Sequence, residues 1–463
     1  MNKVIAITVF IITAWQGSVF AQFGSPARFD SVFTEYFRRN GNGWTAGDAT
    51  ISVPLSDHRV IWLFGDSYIV PVDTNNNTLP CLFQVRNCMM VQDSVDRSHF
   101  LTHIDSNATG INRTTFKLSE STVFQLLWPD HGFEYMDTVY IFLAHLDNST
   151  WDLIDIYVAK LQMPGLEITG MVLLPDKAGY TFGRCVLTDT SAGYRYIYGN
   201  KVNWIVWEPF VARCPLDGLF GEWEYWTASG WSSNINALWK ISEMPVSPSY
   251  SVVMIDGRYY LITQENGYLT CGLGREIYSY ESDYPTGPFT NKRLLYTEES
   301  MFNERYLLTY NAFSHPYFTE DNELLISYNV NDRVDTLEPY VCPSQCVNIW
   351  TDRMDADTYR PKFVRVPLGL ITGAGDKKIG HLSGILTPNP ARPGQAVSWQ
   401  ETAHVVAPAE IAISDITGKT VIRYAGLSSR SFSAPFLPGL YFVRITKHGH
   451  PDFNGKLVVS TER

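Results

Sequence analysis

The sequence predicts an all-β protein: a five-bladed β-propeller followed by a small C-terminal β-sandwich. Short runs of strand-forming residues recur about every sixty positions, a spacing that suits several strands per repeating unit. These are Val60 to Phe64 (VIWLF), Thr138 to Leu143 (TVYIFL), Tyr194 to Tyr198 (YRYIY), Arg258 to Thr263 (RYYLIT) and Glu323 to Tyr328 (ELLISY). A second run follows each of them, CMMVQD, DLIDIYVAKL, PFVARCPL, EIYSYESD and KFVRVPL, and no long helical periodicity competes. From Ser383 the texture changes to apolar and polar residues alternating between glycine turns, as in IAISDITGKTVIRY and FLPGLYFVRIT, the pattern of half-exposed strands.

Taken in order, the chain opens on Lys3, an apolar run from Val4 to Trp15 and small residues ahead of Ala21, which together read as an export signal over residues 1–21. That leaves 22–375 for the propeller and 383–463 for the sandwich. No later apolar run is long enough to span a bilayer, so a secreted or cell-surface protein is expected. The formal net charge of −11, with no cluster of Lys and Arg, argues against nucleic acid and anionic membranes as partners. Aromatic residues make up 14% of the chain and charged ones only 18%, a balance that favours flat or sugar-like ligands. Seven cysteines in an oxidising compartment allow up to three disulfides. Sequence proximity suggests Cys81 with Cys88 and Cys342 with Cys346, then Cys185 with Cys214, leaving Cys271 free. No Cys or His pairs recur with zinc spacing, and neither a metal nor a cofactor is expected.

The chain is organised around Gly43 to Tyr68, GWTAGDATISVPLSDHRVIWLFGDSY. Two strand-like runs flank the polar cluster Ser56-Asp57-His58-Arg59, which reads as a hairpin turn. If Ser56 faces Arg59, Asp48 and Asp66 fall one residue short of direct opposition, and a bulge at Gly47 or Gly65 would bring them onto one face. Two acids so placed repel unless they share a proton or a cation.

Glycoside hydrolysis needs one carboxylic acid to protonate the leaving oxygen and one carboxylate as base or nucleophile. Asp48, just ahead of the innermost strand, is the expected base, and Asp66 the proton donor or a group that tunes a neighbour. Glu224, in Trp223-Glu224-Tyr225-Trp226, is the expected third carboxylate, because aromatic neighbours would desolvate it and raise its pKa. Glu265 and Glu208 compete for that role. Trp44 and Trp226 are candidates to stack on sugar rings, as are Trp223 and Trp231, while Glu265, Arg213 and His315 are candidates to hold substrate hydroxyls. Nucleophile-elbow, zinc-helix, phosphate-loop and dinucleotide motifs are all missing from the sequence.

Two resemblances bear on these expectations. GWTAGDATISVPLSDHRVIWLFGDS, continued in order by Asn87, YIYG, WEYW, SDYPTGPF and HPYF...LLISYN, resembles the secreted propellers known as domains of unknown function 4185 and 5005, over about Gly43 to Pro367. The match is closer to the 5005 type. The 4185 type implies hydrolysis of arabinan, with two first-blade aspartates corresponding to Asp48 and Asp66, and Asn87 enters as a candidate substrate contact. More distantly the plan is similar to the five-bladed furanosidases of glycoside hydrolase family 43. Residues 383–463 resemble the sorting domain of the type IX secretion system, through Pro388-Asn389-Pro390, Asp415 to Lys419, Pro438 to Val443 and Lys456 to Val459. That likeness implies the secretion machinery as a partner and a Bacteroidetes-type cell as the source. The expected function is hydrolysis of a furanose-containing, arabinan-like polysaccharide. The alternative is a non-catalytic glycan-binding propeller displayed on the cell surface.

Overall fold

The computed structural model describes residues 26–106, 112–119, 126–203, 206–265, 274–336, 341–373, 385–400, 409–415, 420–427, 431–447 and 453–461. The export signal and Cys271 lie outside them. Two compact units are present, Met1–Thr372 and Gly373–Arg463.

Among the described residues, the first unit contains five larger antiparallel sheets. Counted outward from the centre of the ring, their first strands are Ile51–Pro54, Leu126–Tyr135, Thr181–Asp189, Ser251–Ile255 and Arg305–Glu320. Each of these first strands neighbours that of the next sheet, and the last returns to the first, so the five form a closed ring. The five aromatic and aliphatic runs are the second strands of these sheets, and the runs that follow them are the third.

Second strands read as predominantly apolar runs because both of their faces are buried. Ile61 and Leu63 pack toward the second sheet with Val139, Ile141 and Leu143. Val60, Trp62 and Phe64 point the other way, onto Phe318, Leu325 and Phe363 of the fifth. The same division recurs in the fourth sheet, where Tyr259 and Leu261 join one cluster and Tyr260 and Ile262 another. A strand with period-2 side chains and a core on each face is apolar at most positions, and its polar exceptions, such as Arg195, Ser327 and Asn329, are themselves buried.

The N-terminal segment closes the ring. Arg28 and Phe29 pair with Arg365 and Val364 at the outer edge of the fifth sheet. Asp30 then caps the helix Ser31–Tyr36, accepting from Phe33 N at 2.8 Å, while its other oxygen accepts from Arg365 Nε at 2.8 Å. Phe33 and Phe37 fill the wedge between the fifth and first sheets.

The cysteines depart from expectation. Cys81 is bonded to Cys346, 265 residues away, rather than to Cys88. Cys342 is disulfide-bonded, but not to Cys346. Cys88, Cys185 and Cys214 are buried free thiols. Proximity in sequence failed as a guide because loops of different sheets meet where their strands end. In the second unit, Ile385–Thr387, Ala396–Gln400 and Ser431–Ser433 form one sheet, and four strands beginning with Ala409–Ser414 form another. One apolar cluster, including Val397, Phe432, Ile411, Val443 and Leu457, draws on both.

Candidate functional site

The hairpin turn is one residue longer than the sequence suggested. Leu55 N donates to Arg59 O at 2.9 Å, so the loop is Ser56-Asp57-His58, with His58 in the left-handed region (φ 70) that three-residue hairpin loops use. Pro54 faces Val60 and Ile51 faces Leu63, and the same register continues at Gly47 with Ser67 and Ala46 with Tyr68. Asp48 therefore stands directly opposite Asp66, and no bulge is needed to bring the two together. Backbone bonds lock the position: Gly65 N donates to Asp48 O at 3.0 Å, and Asp48 N to Asp66 O at 3.4 Å.

Immediately after Asp48 the strand kinks. Ala49 and Thr50 both take positive φ, 74° and 57°, which is costly for an alanine and more so for a β-branched residue. The fifth sheet holds the kink in place. Thr50 Oγ1 donates to Asn329 Oδ1 at 2.8 Å, and Asn329 Nδ2 donates to Ala49 O at 3.3 Å. Ser327 Oγ donates to Thr50 O at 3.3 Å, which leaves it to accept from His315 Nε2 at 2.8 Å, while His315 Nδ1 accepts from Ser52 Oγ at 2.7 Å. His315 is thus a fully buried brace behind the kink rather than a substrate contact, and burial pushes its pKa well down, keeping it neutral.

Around the pair, two phenols donate to Asp48 Oδ2, Tyr310 at 3.1 Å and Tyr359 at 3.4 Å. Arg86 Nη1 lies 3.3 Å from both oxygens of Asp66. Both carboxylates are held well above their usual range. For Asp48 burial is the cause, opposed by the two phenols. For Asp66 burial acts first and the charge of Asp48 second, opposed by Arg86. The Tyr68 phenol is pushed up by burial and then by the charges of Asp332, Asp66 and Asp48, so it lies within electrostatic reach of Asp332 as well as of the pair. Asp332 accepts from Cys346 N at 3.2 Å and from Ser344 Oγ.

Glycines make room for this arrangement. A Cβ on Gly65 would stand 2.5 Å from Asp48 Oδ1 and 3.5 Å from Trp128 Nε1. On Gly47 it would meet Ser67 Oγ and Trp44 Nε1, each at 2.6 Å.

The remaining expected residues fall elsewhere. Glu224 belongs to the fourth strand of the third sheet, where it faces Arg213 across the ladder and accepts from its Nε at 2.8 Å. With its side chain 42% exposed it is an ion-paired surface group, not a desolvated acid. The Arg213 guanidinium is sandwiched between Tyr194 and Trp231, 4.0 and 4.3 Å from their ring centres, and Trp226 packs edge-on against Trp231. These form a structural stack within that sheet. Trp44 is fully buried, its ring 4.5 Å from Phe64, and offers no face to a sugar. Asn87 is also fully buried: its side chain accepts from Phe116 N and donates to Phe116 O and Leu127 O, fixing a loop. Glu265, at the end of the fourth sheet's second strand, accepts from Tyr278 OH at 3.0 Å, and its carboxyl is raised by burial and by Glu276. Glu208 lies 3.9 Å from Lys240.

Tyr310, Tyr359, Arg86, Asp332 and Trp128 were not singled out from the sequence, and no local pattern marks them. Among the described residues, no group of three or more His, Cys, Asp or Glu is arranged to hold a metal ion.

Fold and site define an all-β, propeller-like protein with an opposed pair of carboxylates, Asp66 buried and Asp48 partly so. The chain belongs to the family described as a domain of unknown function, DUF5005, whose model matches residues 30–379. Comparison with curated proteins returns no relative. Among solved structures, a candidate hydrolase from Bacteroides ovatus is similar at 23% identity with a TM-score of 0.58, covering 73% of this chain and 90% of its own, and shares the fold. Lower similarity is found to a thermostable family-43 glycoside hydrolase (15% identity, TM-score 0.39, 72% and 91% covered). An α-L-arabinanase variant from Cellvibrio cellulosa matches at 12% identity with a TM-score of 0.38, covering 69% and 91%.

Proposed function

We propose that this protein is an exported glycoside hydrolase that cleaves a furanose-containing, arabinan-like polysaccharide by carboxylate acid/base chemistry. In this reading the five ringed sheets serve as five blades, and the C-terminal unit is a type IX sorting address. One observation carries the chemistry, the direct opposition of Asp48 and Asp66 in a buried hairpin. Two carboxyls so close and so desolvated share a proton at pH values where isolated acids are ionised, which provides an acid and a base at one point.

Roles follow from the neighbours. Two phenol donors favour the ionised form of Asp48, which acts as base or nucleophile. Asp66 carries the shared proton, and Arg86 limits how far its pKa rises. Asp332 replaces Glu224 as the third carboxylate. A glycan-binding propeller without chemistry would gain nothing from opposed acids and would bear their repulsion, so the pair favours hydrolysis over the binding alternative. The Cys81–Cys346 disulfide supports a protein working in an oxidising compartment.

Wild type and Asp48→Asn, screened side by side on arabinans and arabinogalactans, test the reading. Sugar release by the wild type should fall at least about a thousandfold in the variant, with thermal stability no lower than that of the wild type. Equal release by both proteins would remove Asp48 from the mechanism.

A further inference from the structure

We infer that Trp128 and Trp151 form the platform on which the polysaccharide lies beside the carboxylates, stacking one neutral sugar ring and donating one hydrogen bond to it. The inference rests on the hydrolase reading above and specifies its substrate contact.

Trp128 is placed by the first strand of the second sheet, Leu126–Tyr135. Its Nε1 and Asp48 Oδ1 bracket the same point, 3.5 and 2.5 Å from where a Cβ on Gly65 would stand, so the indole edge is part of the wall around Asp48. That Nε1 is buried and has no hydrogen-bond partner. A buried N–H left unpaired is costly, and an incoming sugar hydroxyl accepting from it would relieve the cost.

Trp151 extends the surface outward. Its ring centre is 5.2 Å from that of Trp128, at 56° between planes, and the residue is 52% exposed. Its backbone is left-handed, φ 65, a conformation rare for a bulky side chain and a marker of sites where geometry matters more than local comfort. Asp147 builds the turn that imposes it. Asp147 Oδ1 accepts from Ser149 N at 2.8 Å and Thr150 N at 2.9 Å, and Trp151 N donates to Asp147 O at 3.0 Å. The Ser149 hydroxyl, donating to Oδ1 at 2.5 Å, followed by the Thr150 and Ser149 amides, holds the Asp147 carboxyl down at about 2 and keeps it ionised. An apolar ring is therefore fixed at the surface in advance of any ligand, at no ordering cost when one binds.

Size and charge select the occupant. An indole offers roughly 150–250 Å² in all, whereas a specific protein partner covers about 800 Å² per side. The pair matches a sugar ring or two. Asp48 and Asp66 stand next to the platform, and the guanidinium of Arg86 is already taken by Asp66, so a uronic acid would bring a further negative charge without compensation. A neutral ring fits.

The test uses the full chain with Trp151→Ala, Trp128→Phe and, as a control, Trp239→Ala, whose indole is 53% exposed outside the site. KM and kcat are measured on soluble arabinan. Retention in arabinan or polygalacturonate gels is measured in an Asp48→Asn background, where turnover plays no part. Trp151→Ala should raise KM about five- to tenfold with kcat changed less than about threefold, and Trp128→Phe should lower kcat/KM about tenfold. Both should weaken retention by arabinan, whereas Trp239→Ala should not, and polygalacturonate should retain none of the proteins.

Retention and KM unaltered in both site variants would overturn the platform, while loss of hydrolysis in Asp48→Asn would leave the hydrolase reading standing. No sugar release by the wild type, with Trp151-dependent retention intact, would sink the hydrolase reading and keep the platform. Equal retention in polygalacturonate would overturn the neutral-ring assignment.

Discussion

Asp48 and Asp66 are ordinary residues made unusual by position. Each loses solvent, and Asp66 also meets the charge of Asp48, so the folded protein holds protons that the unfolded chain releases at lower pH. The sign follows. Below the unfolded pKa of about 4 the pair is protonated in both states and neutral to stability. As pH rises toward and through the raised folded values, the native state bears a growing cost that the unfolded chain does not. Asp48→Asn removes one of the two charges and should therefore stabilise the protein on the alkaline side only. Scanning calorimetry should show the variant melting about 2–4 °C above wild type at pH 8 and level with it at pH 4. A gap of the same size at both pH values would mean that the effect is packing and not charge.

The kinked segment Asp48-Ala49-Thr50 aims the carboxylate, and the support for it comes from a different sheet. Asn329 satisfies both the Thr50 hydroxyl and the Ala49 carbonyl, so Asn329→Leu would leave two polar groups unpaired and the left-handed pair of residues unsupported. Stability should drop by about 1–3 kcal/mol. Glycan hydrolysis should drop more than tenfold at a temperature where the variant is fully folded, because Asp48 would no longer be held opposite Asp66. Activity equal to wild type under those conditions would show that the kink is incidental.

This element also marks the limit of what the sequence tells. The second strands were legible because residues such as Val60 to Phe64 are apolar on both faces, and the acid pair because both members lie in one hairpin. The register was not, since it depends on His58 taking a left-handed conformation, which adds one residue to the turn. Nor were the donors to the pair: Tyr310 and Tyr359 approach from residues roughly 260 and 310 positions away. Trp44 misled for a related reason. Its Gly-rich surroundings suggest an open loop, but Phe37, which caps the helix that precedes it, packs edge-on against its ring.

At the scale of the whole molecule, a ring of sheets has one weak place, where the last meets the first. Three devices join it here. They are the pairing of Arg28 and Phe29 with the fifth sheet, the aromatic wedge of Phe33 and Phe37, and the Cys81–Cys346 disulfide. The disulfide ties the loop beside Asp332, which donates Cys346 N to that carboxylate, to the segment after Tyr68, whose hydroxyl donates to Cys81 O at 2.8 Å. It therefore braces the joint and the site together. A crosslink closing 265 residues restricts the unfolded chain by on the order of 5 kcal/mol in the loop-entropy picture. The double variant Cys81→Ser/Cys346→Ser should consequently melt about 5–10 °C lower. Because the Tyr68 hydroxyl donates to Cys81 O and the phenol feels the charges of Asp48 and Asp66, its kcat on arabinan should also fall severalfold at temperatures well below melting. A melting point unchanged by the double substitution would mean that the terminal strand and the aromatic wedge already close the ring unaided.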